Sequence, residues 1–118
     1  LKRGVQIVVA TPGRLIDLIE RKAIDLEEIK YVVLDEADEM LNMGFKEDIE
    51  FILQNTPKRE ATWLFSATMP AEIKRVSKKY MKDPFEITVG KTNSGRKYRS
   101  SVLCSKLSSS VRSIEKIN

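Results

Sequence analysis

Four apolar residues, Tyr31-Val32-Val33-Leu34, run straight into a cluster of carboxylates, Asp35, Glu36 and Asp38, and few folds accept that order. The apolar run suits a strand buried on both faces, as in the parallel sheet of an α/β protein. The acids then fall where the strand ends, the edge of such sheets at which ligands bind. One carboxylate there can hold Mg²⁺ through its water shell, and a neighbour can orient or deprotonate an attacking water. The same residues also suit the first turn of an acidic helix, whose dipole favours Asp and Glu. Both readings stand on this stretch alone.

Strand and helix patterns alternate on either side of it. Val5–Ala10 is rich in β-branched residues and reads as a buried strand. Thr11 can cap a helix and Pro12 suits its first position. Leu15, Ile16, Leu18 and Ile19 then form an apolar stripe, with Asp17, Glu20, Arg21 and Lys22 facing water. A helix start at a sheet edge presents free N–H groups to a phosphate. Gly13 lets a backbone come close, and Arg14 offers a charged fork. Plain capping accounts for the same residues.

Further on, Phe45, Ile49, Ile52 and Leu53 mark a helix closed by Asn55-Thr56-Pro57. Met40, Met43 and Phe45 read as core. Ala61–Phe65 is another strand, ending at Ser66-Ala67-Thr68. A hydroxyl there can donate to Asp38 if the strands are parallel neighbours; a simple turn before Pro70 is the other reading. Trp63 reads as core. From Pro70 a helix carries Ile73, Val76, Tyr80 and Met81 on one side and Lys74, Arg75, Lys78, Lys79 and Lys82 on the other, read first as a solvated face, with RNA contact as the lesser reading. Phe85–Val89 is a fourth strand. The order β-α-β-α-β-α-β predicts an α/β fold with a parallel sheet, right-handed crossovers and flanking helices.

Composition limits the chemistry. The 118 residues make at most one small domain, and the opening on Leu1 reads as a cut inside a domain, truncated at the N-terminus. With one cysteine, Cys104, and no histidine, disulfide frameworks, zinc sites and His-based triads are excluded. No run approaches a membrane span and no signal peptide is visible, so a reducing, cytoplasmic setting is expected. The net charge of +4 belongs to the end of the chain. Residues 1–90 hold 14 basic and 16 acidic side chains, residues 91–118 hold 7 and one. The basic balance is therefore no sign of a nucleic-acid face on the body.

Asp35-Glu36-Ala37-Asp38 resembles the signature of the DEAD-box ATP-dependent RNA helicases. Thr11-Pro12-Gly13-Arg14, Met43-Gly44-Phe45 and Ser66-Ala67-Thr68 resemble further motifs of that family, in the expected order. The resemblance spans about residues 1–94 and implies part of a RecA-like (P-loop NTPase) domain using ATP and Mg²⁺. By resemblance, Asp35 would hold Mg²⁺ through water and Glu36 would activate the hydrolytic water. Thr11, Pro12, Gly13 and Arg14 would grip an RNA backbone without reading its sequence. Asp38 would couple to Ser66, Ala67 and Thr68. A second RecA-like domain would complete the ATP site. No Gly-rich Gly-Lys-Ser/Thr loop accompanies these motifs, so the chain alone is expected to be inactive.

Residues 95–118 depart from the family. Serines crowd a basic stretch without apolar period, which reads as a disordered linker. One permitted set of codons for Gly95–Cys104, read from the second base, gives Ala-Glu-Asn-Ile-Asp-His-Gln-Tyr-Tyr-Val. That resembles what family members carry here, and suggests a frameshifted reading from about Arg96. Two other functions remain open: a non-catalytic RNA- or protein-binding fragment with an ATPase-like fold, and an ATPase that remodels protein or DNA.

Overall fold

A computed structural model describes residues 4–89 and 100–106 of the chain. Its elements are α1 (Pro12–Glu20), β1 (Tyr31–Leu34), α2 (Ala37–Asn42), α3 (Lys46–Gln54), β2 (Ala61–Ser66), α4 (Ala71–Tyr80), β3 (Phe85–Val89) and β4 (Ser100–Lys106). The strands form one sheet in the order β1-β2-β4-β3. Strands β1 and β2 are parallel, with Tyr31 opposite Ala61 and Leu34 opposite Leu64. The chain is thus α/β, with a small parallel pair and flanking helices. No helix among the described residues is long and apolar enough to cross a membrane.

Helices α2, α3 and α4 cover one face of the sheet. Val32 and Leu34 of β1 and Leu64 of β2 point into that side and meet Ala37, Leu41, Ile49, Leu53, Ile73, Val76 and Met81. The apolar stripes read from α3 and α4 supply most of this core, because helical periodicity is a local property of the sequence. Helix α1 packs against α3 and buries no residue fully.

Two helix ends share one closing device. After α2, the Gly44 N–H donates to the Leu41 carbonyl and the Phe45 N–H to Met40, both at 3.0 Å, with Gly44 at φ 85°. After α1, Lys22 and Ala23 donate to Ile19 and Leu18, both at 2.9 Å. These are Schellman motifs, whose left-handed position suits glycine. In α1 that position is held by Lys22, at φ 55°.

Several expectations are corrected. Val5–Ala10 is not a strand: no strand lies beside it among the described residues, and Val9 is 94 % exposed. β-Branched residues favour extended backbone, but a strand also needs a partner for its N–H and C=O groups. Strand β1 is covered on one face only, with Tyr31 55 % and Val33 53 % exposed. Trp63 lies on that same outer face, stacked on Tyr31 with ring centroids 5.9 Å apart and planes 1° from parallel. Met43 is exposed rather than core, because it caps the C-terminal end of α2.

The sheet is not wholly parallel either. Strand β4 comes from the segment read as a linker and runs antiparallel between β2 and β3, pairing Trp63 with Cys104 and Ile87 with Val102. A strand edge presents a row of unpaired backbone groups, and β4 satisfies those of β2 and β3 together. Its strand state answers the disorder expectation at residues 100–106. The rest of residues 95–118 lies outside the described residues.

Candidate functional site

The parallel pairing of β1 and β2 sets their carboxyl ends side by side, and the candidate site grows from those ends. Beyond Leu34 the chain turns sharply. Asp35 accepts the Glu36 N–H on Oδ1 at 2.9 Å, and Glu36 takes the left-handed conformation, φ 51° and ψ 43°, before α2 begins. For a side chain with a Cβ that conformation costs roughly 1–2 kcal/mol, and such strain is held where the surrounding structure demands it. Both carboxylates are exposed.

Two residues into α2, Asp38 turns the other way and is 5 % exposed. Its Oδ2 accepts both the Thr68 N–H (2.9 Å) and the Thr68 hydroxyl (2.8 Å), and its Oδ1 accepts the Glu39 N–H (3.1 Å). Burial pushes the carboxyl up, but the Thr68 hydroxyl and N–H, with smaller help from Ser66 and Glu39, hold it below its ordinary value. The Ser66 hydroxyl has one proton and gives it to the Thr68 carbonyl at 2.6 Å, so it shapes the loop more than it bonds the carboxylate. Ala67 is exposed between them. The carboxylate after β1 and the loop after β2 are therefore one bonded unit.

Thr11, Pro12, Gly13 and Arg14 stand apart from that unit: no hydrogen bond or ion pair joins them to residues 35–38 or 66–68 among the described residues. Pro12 opens α1 and the Thr11 carbonyl accepts the Leu15 N–H at 3.0 Å. The Thr11 side chain makes no cap, contrary to expectation; its hydroxyl is left for another partner. No protein atom lies within 4 Å of where a Gly13 Cβ would be, so close approach there is not to this chain's described residues. Arg14 bonds Asp17 at 2.8 Å, and Asp17 also takes Arg21 at 2.6 Å, exposed pairs on the water-facing side of α1. Arg14 stays largely exposed, with guanidinium N–H groups to spare.

The donor set fits a hydrated Mg²⁺. Among the described residues Asp35 keeps one carboxylate oxygen and Glu36 both without a protein partner, and Mg²⁺ commonly binds one or two carboxylates while retaining waters and substrate phosphates. No group of three or more His, Cys, Asp or Glu side chains gathers as a closed metal cage among the described residues. A phosphate loop is not part of this set. Gly90-Lys91-Thr92 carries a Gly-Lys-Thr triplet, but Phe85 stands where a phosphate-binding loop requires its first glycine.

Arg59 was missed by the sequence reading. Its guanidinium donates to the Leu53 and Thr56 carbonyls of the α3 end, to the Tyr80 carbonyl of the α4 end (2.9 Å) and to the Thr62 hydroxyl of β2 (3.2 Å). Burial pushes the guanidinium down, yet it remains a cation, facing the negative ends of two helices. The only signal was a basic residue shortly after a helix end. Arg59 ties the C-terminal ends of α3 and α4 to the start of β2, at the end of that strand away from the site.

The profile of the DEAD/DEAH box helicase family matches residues 1–76. RNA helicase CrhR of Synechocystis is 58 % identical over 94 residues, covering 80 % of this chain and 19 % of its own length. ATP-dependent RNA helicase DeaD of Mycobacterium tuberculosis is 57 % identical over 88 residues, 75 % of this chain and 16 % of that protein. The crystal structure of a DEAD box protein from Methanococcus jannaschii superposes with a TM-score of 0.59 at 54 % identity, covering 62 % of this chain and 20 % of that one. The chain spans about a fifth of the length of these relatives.

Proposed function

The chain belongs to the DEAD/DEAH box helicase family, and on that footing we propose that it is part of an ATP-dependent RNA helicase working in the cytoplasm. The observation that carries the reading is the two-point bond from Thr68 to Asp38. It ties the acidic strand end, suited to nucleotide chemistry, to a second loop that can transmit a change there.

In this reading Asp35 holds the water shell of Mg²⁺ through its free carboxylate oxygen. Mg-ATP, when bound, supplies the phosphate bond to be broken and the cation that offsets its charge. Glu36 orients the attacking water and accepts its proton, which its exposed, unpartnered carboxylate suits. Asp38 stays ionised and keeps Thr68 in place; Ser66 and Ala67 fix the loop. Thr11, Pro12, Gly13 and Arg14 contact RNA phosphates at the start of α1. A second RecA-like domain completes the site.

The 118-residue chain by itself should show no RNA-stimulated ATPase above that of Glu36→Gln, because it lacks the phosphate loop. Grafted in place of the matching segment of the Synechocystis helicase, residues 1–94 should support RNA-stimulated ATP hydrolysis, and Glu36→Gln in the graft should lower it by about a hundredfold or more. A graft indifferent to Glu36→Gln overturns the assignment.

A further inference from the structure

We propose that the solvent face of α4 is a second, sequence-independent RNA-phosphate surface, an inference that rests on the RNA reading above. Half of the Lys and Arg side chains in the described structure have found partners. Arg14 and Arg21 pair with Asp17, Lys30 with Glu60, Lys58 with Glu27 and Glu28, Lys79 with Glu50, and Arg59 takes carbonyls. Six described Lys and Arg side chains have neither, and four of them, Lys74, Arg75, Lys78 and Lys82, lie on α4 and the turn after it. The concentration is local, since residues 1–90 as a whole carry more acids than bases.

Burial of Ile73, Val76, Ser77 and Met81 turns these cations outward together. Lys74 and Lys78 sit one turn apart, about 6 Å along the axis, with Arg75 beside them. A row of like charges outside any ion pair is mildly unfavourable in the free protein and is neutralised by a chain of phosphates, whose counterions are released on binding. A lipid surface would need apolar side chains among the cations. On α4 the apolar face is already spent on the core.

The position adds a consequence. Helix α4 starts at Ala71, and the Lys74 N–H bonds back to the Pro70 carbonyl. A phosphate chain held on α4 therefore pulls on the same short segment that carries Thr68 and its bonds to Asp38. RNA lying there is mechanically joined to the acidic strand end.

The test is fluorescence anisotropy of a labelled oligouridylate with the 118-residue chain over a range of salt, alongside circular dichroism to follow folding. Lys74→Gln/Lys78→Gln should weaken binding by about fivefold or more and reduce the salt slope by about 1.4, at roughly 0.7 for each single-strand phosphate left without its lysine. Lys30→Gln/Lys58→Gln, which removes the same charge from paired positions, should leave both unchanged. If the α4 variant binds as wild type while Arg14→Gln weakens binding, the α4 inference falls and the helicase reading stands. Equal weakening in both double variants overturns it in favour of diffuse charge, and a polyglutamate that binds α4 as tightly as RNA overturns the choice of nucleic acid. Absence of RNA binding by the folded wild type overturns both readings.

Discussion

Replacing Thr68 by valine is the sharpest perturbation of the Asp38 unit. Valine keeps the β-branched shape and the backbone N–H, and removes only Oγ1. Asp38 accepts three hydrogen bonds, and the one from Oγ1, at 2.8 Å, is the shortest. A bond to a charged group contributes about 1.5–3 kcal/mol, and Asp38 is buried, so the loss should be about 2 kcal/mol at neutral pH. With a urea m-value of about 1–2 kcal/mol/M for a chain of this size, the midpoint should fall by about 1 M or more. The lone tryptophan, Trp63 on the sheet's outer face, reports the transition. The pH dependence has a definite sign. The folded Asp38 carboxyl lies below its ordinary value near 3.8, so the stability it contributes is present above that value and is lost as pH falls through the folded titration. Below it the bond becomes a neutral one, worth about 1 kcal/mol, and the deficit of Thr68→Val should shrink accordingly. A deficit of the same size on both sides of the titration, or none at neutral pH, would refute the reasoning.

Arg59→Met strips donors from the α3 and α4 ends and should cost about 2 kcal/mol in urea unfolding. Lys58→Met, which breaks only exposed pairs with Glu27 and Glu28, should leave the midpoint where it is. Gly44→Ala meets open space but keeps φ 85°, so it should destabilise by about 1 kcal/mol from backbone strain alone, measured as a lower midpoint with an unchanged m-value.

What could be read from the sequence follows the range of the forces involved. Helices α3 and α4 announced themselves because residues three and four apart share a face whatever surrounds them. The parallel neighbours β1 and β2 were legible as apolar runs ending in polar motifs. Sheet partnership was not, since it depends on strands distant in the chain. Val5–Ala10 has a strand's residues and no strand beside it among the described residues, while Ser100–Lys106 has a linker's composition and two neighbours. Tyr31, Val33 and Trp63 read as core because an apolar side chain does not declare which face of a sheet is covered. The left-handed turn at Glu36 carries no Gly or Asn to betray it. Arg59 hid because its ligands are carbonyls from separate segments, which no pattern of side chains records.

The left-handed Glu36 has an evolutionary consequence. Its backbone would be most comfortable as glycine or asparagine, and neither carries the carboxylate. Selection for thermal robustness alone would push this position away from glutamate, whereas, on the proposed role in activating water, selection for turnover would pull it back. If Glu36 has the role proposed for it, a lineage freed from that chemistry should lose Glu36 early and gain stability by losing it, while Asp38, whose bonds hold two strand ends together, should be kept.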